Sequence, residues 1–200
     1  MEYKQAYYQE FADENLVERH KREIFPLIAK RYLFSQVNYF EFFDFIDDFG
    51  NINENIFAYS NRNEYERALV IYNNSYHECS GTVKFSIAKG GNSHNNSKKL
   101  GEALALKNEN HFYYICREHL SGLEYIFSGR DMHDYGLFTT LRGYQYKLFY
   151  NFIEIHDQHG TYERLYNFLN GKGVPSIEES LKELTLAPVH YALYDIFNSE

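Results

Sequence analysis

A chain of 200 residues suits one ordinary domain with some decoration and is long enough to bury a real core. With 44% hydrophobic and 24% charged residues, disorder over most of the length is excluded. The formal charge of −8 argues against nucleic acid, whose phosphates need a basic face.

Residues 13–33 read as a helix, because Leu16, Val17, His20, Ile24, Leu27 and Ile28 recur near a 3.6 spacing. Pro26 removes an amide donor and crowds the preceding turn, so a kink or two shorter helices are expected near Phe25. From residue 39 the apolar period falls to two. Strands are predicted over 39–46, 56–61, 67–73, 81–88, 112–118, 123–127, 137–141 and 146–155. The segment 90–99 is a polar low-complexity loop, and 100–106 has the spacing of a short helix. After Asp157 the helical period returns. Helices are expected over 161–170, stopped by Gly171, over 177–184 behind the capping box Ser176-Ile-Glu-Glu179, and from Pro188 to about 197.

This order predicts a mainly β fold: an antiparallel β-sandwich of about eight strands, flanked by an N-terminal helix and C-terminal helices. The expected division is a helical lead-in at 1–37, the β domain at 38–157 and a helical tail at 158–200. No apolar run reaches the length of a membrane span, and Met1-Glu2-Tyr3-Lys4 does not open a signal peptide. A cytoplasmic setting without membrane partners is therefore expected. Cys79 and Cys116 are read as reduced core thiols.

The segment Asn55-Ile-Phe-Ala-Tyr-Ser-Asn-Arg, followed by Glu66-Arg-Ala-Leu-Val-Ile-Tyr-Asn-Asn-Ser-Tyr76, is a hairpin of two aromatic, β-branched runs around a polar turn. It resembles the first hairpin of the β-sandwich that follows the catalytic barrel in α-amylase family glycoside hydrolases. Phe25-Pro-Leu-Ile-Ala-Lys-Arg-Tyr-Leu-Phe34 is similar to the last barrel helix of that family. Residues 136–149 resemble its closing sandwich strands, with Gly143 where proline is common, a change that a turn is expected to absorb. The likeness spans about residues 16–157. It implies a non-catalytic C-terminal region whose partner is a (β/α)8 barrel and whose contact, if any, is with α-glucan. That family's catalysis needs two carboxylates flanking the scissile bond. No Asn-His-Asp motif and no room for eight βα units exist here, so no catalytic residue is carried over and no cofactor is expected.

Other constellations are weaker. Glu41, Asp44, Asp47 and Asp48 form the densest carboxylate cluster and are read as a solvated strand face and turn rather than calcium ligands. His156 and His159 lack a third ligand in register, so no metal site is expected. His133-Asp134 has no nucleophile nearby in sequence. The aromatic excess, 20 Tyr and 17 Phe without Trp, suits half-buried sheet and also surfaces that stack on sugars. Tyr72 and Tyr76 are the candidate carbohydrate-binding residues, with Asn73, Asn74 and Ser75 supplying polar groups beside them. The alternative is a free-standing carbohydrate- or protein-binding module.

Overall fold

The computed structural model describes residues 12–88 and 97–186. The predicted helix after Pro188 and most of the predicted polar loop lie outside the described residues. Eight strands pair antiparallel throughout: β1 (Glu41–Asp47), β2 (Ile56–Arg62), β3 (Arg67–Asn73), β4 (Cys79–Ser86), β5 (Phe112–Glu118), β6 (Glu124–Ser128), β7 (Leu137–Leu141) and β8 (Tyr146–His156). The mainly β, antiparallel fold expected from the alternation is therefore present. Its layers come from one continuous sheet in the order β6-β5-β8-β3-β2-β1-β4-β7, curled into an open half-barrel.

The connectivity dictates the curl. β7 and β8 are five inter-strand steps apart, about 24 Å in a flat sheet. The chain from Leu141 to Tyr146 reaches about 18 Å at full stretch, and its turn is tightened further by a Gln145 N–H to Arg142 C=O bond of 3.1 Å. A flat sheet cannot be spanned, so the strand ends must come round towards one another.

The concave face is lined by Phe43, Phe45, Leu69, Ile71, Tyr114 and Phe149. It is closed by a short helix α4 (Leu100–Ala103) and by α5 (Gly129–Asp134), which adds Met132. Alternation along β1 puts Glu41, Phe43 and Phe45 inside. Glu41 is thus buried and accepts a hydrogen bond from Lys98 Nζ at 2.7 Å, which corrects its reading as solvated. Asp47 does serve a turn, accepting the N–H groups of Phe49 and Asn51.

The outer face is covered in two places. The lead-in is broken as Pro26 requires, into helices α1 (Glu14–Glu23), α2 (Phe25–Ala29) and α3 (Arg31–Phe34). Leu33 packs there on Ala68 and Leu148. Glu66 in the β2–β3 turn accepts from Lys30 and from the Tyr32 hydroxyl. Those bonds hold its carboxyl below the usual range.

Over β5 and β6 lie α6 (Thr161–Leu169) and a helix α7 at 177–186, which bury Leu165, Leu169 and Ile177 against Tyr113 and Ile126. The first residue before α6 is Gly160, which has no side chain to cap it. Asp157 does the capping instead, accepting from the N–H groups of Thr161 at 3.1 Å and Glu163 at 2.9 Å. Burial pushes its pKa up, but the N–H groups of Glu163, Thr161 and His159 outweigh that and hold it below the ordinary 3.8.

A depressed folded pKa stabilises above the unfolded value, and that stability is lost as pH falls through the folded one. Asp157→Asn is therefore expected to cost about 1–2 kcal/mol at neutral pH. The gap from wild type should close below about pH 4, where the wild-type carboxyl also becomes neutral. Urea unfolding across pH 3–7 checks this; a gap that stays constant with pH would refute the capping role.

Candidate functional site

Asn73 ends β3 and is fully buried. Its amide donates to the carbonyls of His77 at 2.7 Å, Arg142 at 3.0 Å and Leu141 at 3.4 Å. Its oxygen accepts from the Ser75 N–H and hydroxyl at 3.0 and 2.9 Å. One side chain thus ties the β3–β4 turn to the β7–β8 turn, the two links that the curl brings together. Asn73 and Ser75 are spent on this clamp, so the expectation that they face a sugar is corrected; Asn74 is exposed and accepts from the Tyr72 hydroxyl at 3.3 Å.

The clamp presents Tyr76, which is 83% exposed. Its ring meets Tyr144 edge-on, centroids 4.9 Å apart and planes at 77°. Tyr144 sits at φ +56°, a left-handed conformation that a bulky residue adopts only when its surroundings enforce it. The enforcement is visible: Tyr144 N–H donates to Ser75 C=O at 3.0 Å. Gly143 beside it has no room for a side chain, since a Cβ there would lie 2.3 Å from Tyr76 O. Glycine at 143 is thus demanded by the neighbouring turn, a stricter role than the tolerated replacement that the resemblance suggested. The Tyr144 hydroxyl is raised above its ordinary pKa first by the Tyr76 hydroxyl, then by burial, then by Tyr72.

Tyr72 lies behind this pair on the convex face, half-buried. It stands opposite Phe57 in the β2–β3 register and their rings are stacked at 6.4 Å and 15°. Phe57 in turn approaches Phe42 at 6.3 Å. The rings form a row across β3, β2 and β1. Alongside it runs an apolar groove of about 540 Å³, walled by Leu27, Phe34, Tyr59, Val70 and Tyr146. Of the two predicted tyrosines, Tyr76 meets Tyr144 directly, while Tyr72 stands near the end of β3 against Phe57. Nothing in local sequence pairs residue 144 with residue 76; the contact depends on the sheet order.

The remaining constellations take structural roles. His133 is buried, its ring nitrogen 2.8 Å from Leu106 C=O and its ring against Gly101. His156 stacks on Phe112 at 4.7 Å. Among the described residues, no three His, Cys, Asp or Glu side chains are grouped to hold a metal ion. Cys79 and Cys116 are free, and burial pushes the Cys116 thiol well above its ordinary pKa. No described helix is long and apolar enough to cross a membrane. No protein-family model and no curated protein matches the chain.

Proposed function

We propose that this chain is a non-catalytic accessory region of an α-amylase-like glycoside hydrolase, which covers one side of the (β/α)8 barrel and helps hold α-glucan. The observation that carries this reading is the lead-in. Helix α1 buries none of its ten residues, and Leu16, Ile24, Phe25, Ile28 and Tyr32 stay exposed along α1–α3, Phe25 at 55% and Ile28 at 59%. Helical stability in proteins comes mostly from packing an amphipathic face. A helical face this apolar is suited to a partner surface, and a barrel is the partner that the resemblance of residues 25–34 implies.

The sugar-holding part rests on Tyr76 and Tyr144. A ring face stacks on the C–H face of a pyranose while the hydroxyl reaches sugar oxygens, and these two rings are exposed and packed edge-on against each other. In a cytoplasmic enzyme the ligand would be a storage or breakdown α-glucan.

The test has two arms on the isolated chain. Incubation with starch and maltodextrins is expected to release no reducing sugar; release at enzyme-like rates would overturn the non-catalytic assignment. Titration with maltoheptaose should perturb the tyrosine resonances at millimolar sugar, and Tyr76→Ala should weaken that binding at least threefold. Unchanged resonances would restrict the tyrosines to packing.

A further inference from the structure

The mouth of the half-barrel, between the β6–β5 arm and β7, encloses a cavity of about 530 Å³. That is the size of an ordinary small-molecule site. Its walls are mixed, with the rings of Tyr125, Phe127 and Phe149 and the side chain of Met132 on one part and Ser128, Asp131 and Asn170 on another. On its β7–β8 side Lys147 of β8 meets the buried Thr139 of β7 through an Nζ–H to Oγ1 bond of 2.8 Å.

An ammonium group has three donors. Here one is used, on a neutral hydroxyl, and among the described residues no carboxylate lies within ion-pair distance of Lys147. Glu118 favours the charged form from farther off without a direct bond, its oxygens accepting from the N–H groups of Leu120 and Ser121 and from the Ser121 hydroxyl. Burial correspondingly lowers the Lys147 pKa. A half-buried cation with spare donors gains more from an anion than a fully solvated one does. The opposite wall carries Asp131, which accepts the Tyr166 hydroxyl at 2.7 Å. An anion is therefore repelled from that side and drawn to Lys147.

We infer that this cavity is a binding site for an amphiphilic organic acid, a single carboxylate on an apolar body. The carboxylate meets Lys147 Nζ and the Thr139 hydroxyl, and the body lies among the aromatic rings. This site is separate from the tyrosine corner and does not depend on any relation to sugars. A neutral sugar would bring no anion to Lys147.

The experiment is calorimetric titration of the whole chain with decanoate and with 1-decanol. Decanoate should bind at least tenfold more tightly than the alcohol of equal length, and Lys147→Met should erase that preference. Equal affinities, no decanoate binding up to its solubility, or a preference that survives in Lys147→Met would each overturn the inference. If the variant does not fold, wild-type protein decides: decanoate should protect Lys147 from reductive methylation, read by mass spectrometry, and an unprotected Lys147 would overturn the assignment.

Discussion

Phe45→Ala is expected to lower the free energy of unfolding by about 4 kcal/mol, the middle of the range for removing a buried aromatic ring. Phe45 is fully buried on β1, a strand paired on both sides, by β2 and by β4. Its ring fills the notch left by Gly81 on β4, where an added Cβ would lie 2.5 Å from the ring and 2.2 Å from Ile46 O. Collapse into the vacated space requires a neighbour that can move. On the Gly81 side the wall is backbone held in the ladder, so that side cannot close and the cost stays high. Urea denaturation with an unchanged m-value checks this; a loss below 2 kcal/mol would mean that the notch relaxes after all.

Asn73→Ala should be the next most damaging change, costing about 3 kcal/mol. The reason is the set of groups it abandons: the carbonyls of His77, Leu141 and Arg142, and the donors of Ser75. Buried polar groups left without partners cost about 1–3 kcal/mol each, and water entering at the corner recovers part of that. Asn73→Asp should do no better, because a carboxylate would then face three carbonyl oxygens. Both variants should also separate Tyr76 from Tyr144, visible as loss of the ring-to-ring nuclear Overhauser effect. A variant within 1 kcal/mol of wild type with that contact intact would show that the turns do not need the clamp.

Much of the fold was legible because alternation and helical period are local. Each predicted strand lies within about two residues of its observed position, and Pro26 breaks the lead-in where proline chemistry requires. Helix α5 was missed because Gly-Arg-Asp-Met-His-Asp carries no apolar period. Its one sequence signal was Ser128, whose hydroxyl accepts from Asp131 N–H. The alternation with Phe43 and Phe45 places Glu41 inside, against its reading as solvated; its partner, Lys98, is far away in the sequence. The corner shared by Tyr76 and Tyr144 depends on strand order, which local pattern does not encode. The same holds for the cavity: Lys147 faces Thr139 only because β7 and β8 are bent towards each other.

β8 is the last strand among the described residues, yet it sits between β3 and β5 in the sheet. During synthesis the first four strands and the β5–β6 hairpin emerge as two separate pieces, each with an unsatisfied edge. The exposed edge on the early piece is β3, whose Ala68-Leu-Val-Ile-Tyr72 run is uncharged and rich in β-branched residues, the composition that recruits foreign strands. Until residues 146–156 arrive, neither piece can use its edge. The contacts that join them are of long sequence range and therefore slow to form. Assembly of this sheet is thus gated by β8, and a ribosome stalled before Tyr146 would display a surface made for aggregation.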